Sequence, residues 1–395
     1  FEILGRLARG GMAEIYLARE WDEAGKARHL VVKRVLPEME GNPELLRMFL
    51  DEGSTAVRLY HQNVCHVYEC GEIEGTTFMA LEWVWGPQLQ HVIDRMAERG
   101  SCIPWPIAVE IVSQIAGALH YVHQAKGIGG KPLNIVHRDV SPHNVMINWG
   151  GVAKLLDFGI AKTSQDITTG GAAVGKYGYM SPEQAQSQGV DPRSDIFALG
   201  IVLFEALTSQ PLYDRATLLD TLQAIVREPV PSLRRARPEL PEALEHILHR
   251  ALAKDPSHRF QSAGELRAAL KSVLRTHGQT VTEQRIALFL DGVFDDKDKR
   301  PLDAANVKLT GSFQALTAIG AAVVRGEQVT YEAFDHSRGS VRPSSGDVSD
   351  IEIDLDFDPP AKKRRASGWL AWVGLIMLAF LMAGVGATVA LYLMH

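Results

Sequence analysis

The 395 residues are 46% hydrophobic and 22% charged, with 41 Lys and Arg against 47 Asp and Glu for a net charge of -6. That balance is ordinary for a globular protein and lacks the basic footprint of a nucleic-acid binder. Cys65, Cys70 and Cys102 form no CxxC pair, so they read as reduced, buried thiols rather than a disulfide framework or zinc site.

Residues 1 to about 100 alternate short apolar runs with glycine-containing turns, interrupted by the helical stretch "PELLRMFLDEGSTAVRLY". This predicts a small sheet with one packed helix. From about 104 the pattern turns helical, with Ile107, Ile111, Ile115, Leu119 and Val122 near helical spacing. A second helical run, "SDIFALGIVLFEALT", is entered at Ser194 and Asp195. The packed domain is expected to end near 275, with a further helix in 276–300 and a tether beyond it. The acidic stretch "GDVSDIEIDLDFDPP" is too charged to bury. No internal repeat is visible.

The last segment differs. Residues 369–394, "WLAWVGLIMLAFLMAGVGATVALYLM", carry no charge. As a helix they would span about 39 Å, enough to cross a hydrocarbon core of about 30 Å with some tilt. Trp369, Trp372 and Tyr392 lie near the ends, and Lys362, Lys363, Arg364 and Arg365 precede the run. Aromatic rings favour the lipid boundary and positive residues stay cytoplasmic, so the N-terminal region is expected inside and the C-terminus outside. With only His395 after the span, no external sensor domain is expected.

Phosphoryl transfer needs a held triphosphate, metal ions on it and an acceptor hydroxyl aimed in line. "GRLARGGMAEIYLA" at 5–18 has the strand-turn-strand character of a phosphate-covering loop. Ala8 and Ala13 stand where the first and third glycines of G-x-G-x-x-G would be; Gly10 and Gly11 remain. Alone, this match is weak, and the alternative is a simple glycine hairpin. "LVVKRV" places Lys33 in an apolar strand, and Glu52 follows 19 residues later in the helical stretch. The two could pair and hold an ammonium against the α- and β-phosphates. "MALEWVWG" at 79–86 resembles a hinge, in which the backbone of Glu82 and Val84 would bond the adenine edge.

With these motifs and the loop "HRDVSPHN" at 137–144, residues 1–275 resemble a bacterial eukaryotic-type serine/threonine protein kinase. The resemblance implies a two-lobed α+β fold: a small β-rich lobe with one helix over 1–85 and a larger helical lobe over 86–275. A flexible, largely disordered linker over 276–368, acidic near 347–358, and one transmembrane helix would follow. It also implies Asp139 as the base or orienting group for the acceptor hydroxyl. Asn144, five residues on, and Asp157 of "LLDFGIAK", 18 residues on, would be ligands for Mg²⁺, or alternatively Mn²⁺, on ATP. Phe158 and Gly159 complete that triplet. Leu7 and Ile15 join Gly10, Gly11, Lys33, Glu52, Glu82 and Val84 as nucleotide contacts. Glu183 would pair with Arg259, and Asp195 would brace the catalytic loop. Expected partners are protein substrates bearing Ser or Thr, the inner membrane, and a second copy for autophosphorylation in trans, with no nucleic acid. Pro142 and the absence of A-A-R-N favour Ser or Thr over Tyr. Thr163, Ser164, Thr168 and Thr169 are candidate phosphorylation sites that Arg138 could receive.

The loop departs from the family at Ser141, where a lysine usually reaches the γ-phosphate and the catalytic aspartate. In "GKYGYMSPE", Lys176 stands where these kinases usually have a threonine facing that lysine. The two changes read as an exchange across one contact, with Lys176 supplying the ammonium. The alternative is that Lys176 faces solvent and Ser141 is a neutral loss. For the chain as a whole, the alternative to an active enzyme is a pseudokinase scaffold that kept the fold and lost turnover.

Overall fold

The computed structural model describes residues 1–299 apart from Glu23, Glu74 and 158–173, and leaves out the side chains of Ile128 and of 174–176. The chain begins as a five-stranded antiparallel sheet. Its strands are β1 (Glu2–Arg9), β2 (Ala13–Trp21), β3 (Ala27–Val35), β4 (Val67–Ile73) and β5 (Thr76–Glu82), in the order β1-β2-β3-β5-β4. Two-residue alternation sorts β3. Leu30 and Val32 join Ile3, Tyr16, Ala18, Phe78 and Ala80 in a small cluster on one face, which leaves Val31, Lys33 and Val35 on the other. Ile15 on β2 and Met79 on β5 are the cross-strand partners of Lys33. An apolar cradle therefore surrounds the stem of a cationic side chain.

Helix α1 (Pro43–Ala56) starts where Asn42 accepts hydrogen bonds from the N–H groups of Glu44 and Leu45, with Pro43 filling the first helical position. Its buried face is Phe49, Glu52, Gly53 and Ala56. A Cβ on Gly53 would come within 2.6 Å of Cys70 Cβ on β4. The absent side chain lets α1 lie directly on the sheet and brings Glu52 within reach of β3.

The second lobe is helical: α2 (Leu89–Glu98), α3 (Trp105–His123), α4 (Pro182–Ala185), α5 (Pro192–Thr208), α6 (Leu218–Arg227), α7 (Leu233–Ala236), α8 (Glu242–Ala251), α9 (Ala263–Thr276) and α10 (Glu283–Val293), with a short hairpin of β6 (Val145–Ile147) and β7 (Ala153–Leu155). Helix α5 is buried from Ser194 through Thr208, and α3 over most of its length. Helices apolar on nearly every side belong at the centre of a lobe, and α3 packs between α5 and α9. The crossing from sheet to helices is tight. Ile147 N–H donates to Pro87 O (2.9 Å), Trp149 N–H donates to Trp85 O (3.1 Å), and a Cβ on Gly86 would sit 1.9 Å from Ile147 O.

The packed region runs past the boundary expected at 275. Ile286, Leu290, Val293 and Phe294 belong to the main core, and Arg99 donates to the carbonyls of Gly292 and Val293. Gly151, at φ +86°, forms the β6–β7 turn, where any side chain would strike Glu283 O. The start of α10 is thus seated on that turn, and 283–294 belongs to the folded domain rather than to a linker. The remaining tether, the acidic run and the span 369–394 lie outside the described residues; among the described residues no helix is long and apolar enough to cross a membrane. All three cysteines are free; Cys65 is buried, and burial pushes its thiol pKa well up.

Candidate active site

Lys33 and Asp157, 124 residues apart in sequence, meet at 2.9 Å between Nζ and Oδ1. Glu52 lies farther from the same ammonium, at 3.9 Å. Burial alone would depress the lysine, but Asp157, Glu52 and Asp139 together outweigh it and hold Lys33 above its ordinary pKa, fully charged. The helix carboxylate expected as the lysine's partner is therefore the looser of two.

The β6–β7 hairpin explains how Asn144 and Asp157 come together. Val145 pairs with Leu155, and the ladder continues outward with Leu156 N–H donating to Asn144 O at 2.8 Å. Asp157 follows by one residue. The Asn144 side chain donates Nδ2 to Asp139 O (2.7 Å) and Asp139 Oδ2 (2.9 Å). With both amide hydrogens so directed, Oδ1 is the remaining end of Asn144 and an acceptor. Among the described residues no group of three or more His, Cys, Asp or Glu could hold a metal. An oxygen pair from Asn144 and Asp157 suits a hard cation that takes its other ligands from water and phosphate.

The loop carrying Asp139 is held from beneath. Asp195 accepts from the backbone N–H groups of His137 and Arg138, each at 2.8 Å, and contacts His123 Nε2 at 2.7 Å. Burial would raise Asp195, yet these partners keep its carboxyl below its ordinary pKa. His137 is fully buried, which pushes its imidazole down into the neutral form. Its Nε2 then donates to Leu156 O (2.9 Å), while Nδ1 accepts from Asp139 N–H (3.3 Å). Arg138 at φ +65° and Asp157 at φ +45° both occupy the left-handed region without being glycine. Such backbone costs on the order of 1–3 kcal/mol and persists where surroundings enforce it. Here the enforced residues flank the aspartate of the loop and contribute the second oxygen.

Glu183 and Arg259 form the expected pair, bidentate at 2.7 and 2.8 Å, with Ser194 Oγ also donating to the carboxylate. Ser181 and Gln184 cap α4 reciprocally, and Gln184 Nε2 donates to Arg138 O at 3.2 Å, which ties α4 to the catalytic loop. Tyr179 donates to Glu205 at 2.7 Å; burial raises that carboxyl to about 7.

Gly10 and Gly11 form the β1–β2 turn, where Gly10 N–H donates to Ala13 O at 2.8 Å. Neither takes a positive φ, and a Cβ at Gly11 would touch nothing within 4 Å, so packing within the protein does not demand glycine there. Leu7 and Ile15 are half-buried on the adjoining strands. Glu82 ends β5; its carboxylate bonds Lys154 at 2.8 Å, its N–H donates to His66 O, and its carbonyl accepts a long contact from Cys65 Sγ at 3.5 Å. Val84 is buried. Ser141 is buried too, and its carbonyl accepts from Asn144 N–H at 3.0 Å. The Lys176 side chain, Phe158, Gly159, Thr163, Ser164, Thr168 and Thr169 lie outside the described residues. His123 and Gln184 went unread in the sequence. A histidine closing an apolar helix and a glutamine inside a capping motif carry only local signals, whereas their partners are remote.

A five-stranded lobe with one helix, joined to a helical lobe through a lysine and an aspartate, defines the two-lobed protein kinase class. The protein kinase domain family matches residues 1–271, and the chain belongs to it. Tyrosine-protein kinase MasK of Myxococcus xanthus is 34% identical over 354 residues, covering 89% of this chain and 54% of MasK. Serine/threonine-protein kinase PrkC of Bacillus subtilis is 34% identical over 274 residues, covering 69% of this chain and 40% of PrkC. The chain thus spans about half or less of the length of these curated relatives. The kinase domain of Mycobacterium tuberculosis PknI superposes with a TM-score of 0.52 at 30% identity, over 68% of this chain and 94% of that one. Membership of the family implies use of ATP and a divalent cation.

Proposed function

We propose that the chain is an ATP-dependent serine/threonine protein kinase, and the observation that carries this is the convergence of Lys33, Asp139, Asn144 and Asp157. Lys33, kept charged by its carboxylate neighbours, holds the α- and β-phosphates. Asn144 Oδ1 and Asp157 would hold Mg²⁺, which when bound would supply neutralising charge to the transferring phosphate. Asp139, positioned by Asn144 and by the braced loop, receives or orients the acceptor hydroxyl. The β1–β2 turn with Gly10 and Gly11, between Leu7 and Ile15, covers the nucleotide, and the backbone at Glu82 and Val84 binds adenine.

Serine or threonine acceptors are supported by Pro142 and by relatives such as PrkC. MasK carries a tyrosine-kinase name, so phosphoamino-acid analysis of the product from labelled ATP is the deciding measurement. Phosphotyrosine alone would overturn the acceptor class without touching the kinase assignment. The paired change of Ser141 in the loop and Lys176 in the segment before Ser181 supports one further step: Lys176 supplies the ammonium absent from the loop. Two unit charges about 4 Å apart interact by about 4 kcal/mol at an effective dielectric of 20. Lys176→Met is therefore expected to lower kcat about 100-fold while KM for ATP stays within about twofold. Near-normal turnover would remove Lys176 from the site, and absent turnover in the unaltered chain would favour the pseudokinase scaffold.

The apolar run 369–394 and its preceding Lys362–Arg365 quartet support a single-pass anchor in the inner membrane with the kinase domain cytoplasmic. Crowding of anchored copies in two dimensions would favour autophosphorylation in trans. The full chain is expected in the membrane fraction after alkaline wash, and a chain lacking 369–394 in the supernatant; an unchanged distribution between the two would remove the anchor.

A further inference from the structure

We propose that the groove between the loop after α1 and helices α3 and α9 is a second binding site, for a small phosphorylated anion. The cavity measures about 510 Å³, within the range of small-ligand sites. Arg58, His61, His120, Lys126 and Arg267 line it around the ring of Tyr121, and no acidic residue is among the lining. None of the residues assigned to the nucleotide and its metal lines it either.

No carboxylate neutralises the three strong cations of this groove. Arg193, Arg215 and Arg259 each have a carboxylate partner, and so does Lys271, one turn beyond Arg267 on α9, which pairs with Glu110. Among the described residues Arg58, Lys126 and Arg267 have none. Three like charges around one concavity repel one another and focus a positive potential into it. An anion with several oxygens relieves that repulsion and supplies acceptors to donor-only groups.

The histidines add directed donors. Asn63 N–H donates to His61 Nδ1 at 3.0 Å, which leaves the ring proton on Nε2. The ring stacks on Tyr121 with centroids 5.1 Å apart. Burial, followed by the nearby Arg267 and Lys154, pushes His61 down to the neutral form. Nδ1 of His120 is buried without a hydrogen-bond partner.

The position gives such a ligand a mechanical role. Arg58 and His61 follow the end of α1 by two and five residues, and α1 carries Glu52. The same loop is fastened to the helical lobe through Tyr60 N–H to Tyr121 Oη (3.0 Å) and Asn63 Nδ2 to Gln114 Oε1 (3.1 Å) and Ala153 O (2.8 Å). A bound anion bridging Arg58 and Arg267 adds a clasp between that loop and α9.

Calorimetric titration of the full chain with pyrophosphate, at fixed ionic strength and with an ATP analogue saturating the nucleotide cleft, tests this. Saturable one-site binding is expected, weakened at least tenfold by Arg58→Ala with Arg267→Ala, while affinity for the ATP analogue is unchanged. Absence of saturable binding, binding that the double variant retains, or binding that the analogue abolishes would each overturn the proposal. So would capture of a phosphopeptide with no response to pyrophosphate. A chain that binds pyrophosphate this way yet transfers no phosphate leaves the anion site standing and removes only the kinase assignment.

Discussion

Asp139→Asn is expected to reduce phosphoryl transfer at least about 100-fold, within the 10²–10⁴ range typical of removing a positioned acid or base, while ATP affinity and folding stay close to those of the parent. The geometry explains the separation. Asn144 Nδ2 reaches both the carbonyl and Oδ2 of Asp139, and an asparagine can still present an oxygen to that amide. Its backbone N–H continues to meet His137 Nδ1, and Asp195 holds the two preceding N–H groups regardless. What vanishes is the negative charge facing the acceptor hydroxyl. Steady-state kinetics with a generic protein acceptor, beside nucleotide titration of the same sample, read the two effects separately. Turnover above about one-tenth of the parent rate would displace Asp139 from the chemistry.

Arg259→Met should have the largest effect on stability, a loss of about 3–5 kcal/mol measured by urea unfolding, because it strands a buried carboxylate. The Arg259 side chain is 0% exposed and Glu183 only 7%. Arg259 also donates to the carbonyls of Ala253, Arg193 and Lys254. Glu183→Leu added to Arg259→Met should restore part of the loss, since both charges then disappear together. Burial pushes the Glu183 pKa up, but hydrogen bonds from Arg259 and Ser194 outweigh it and hold the carboxyl below its ordinary value. A depressed folded-state pKa contributes stability above the unfolded value of roughly 4.3. That contribution fades as pH falls through the folded value. In Arg259→Met the acid side of the stability profile should accordingly flatten. A single-variant cost under about 1 kcal/mol would show that the pair is replaceable.

How much of this was written locally depends on the residue. Helix α1 was legible from its run, although the run continued to Tyr60 and the helix stops at Ala56. The four polar residues of the site were legible as types at spacings, because each belongs to a short motif. Their distances were not. That Lys33 sits closer to Asp157 than to Glu52 depends on how hairpin β6–β7 meets the sheet. The seat of helix α10, in the stretch 276–300 where a further helix was expected, was not legible for a similar reason. Helix α10 has its own apolar face in Ile286, Leu290 and Val293, but the turn at Gly151 that seats it lies far upstream. Left-handed backbone at Arg138 and Asp157 carries no glycine to announce it; tertiary contacts impose it.

Gly86 fixes where the two halves of the molecule can bend. Its peptide lies against that of Ile147 with no room for a methyl group, and the bonds from Ile147 and Trp149 clamp the chain on either side. Rotation about that point would tear two hydrogen bonds and open a seam, so Gly86 is a fixed joint between the sheet and the helices. Lys33, paired across to Met79 on β5, is therefore carried beside a strand that ends only a few residues from that joint.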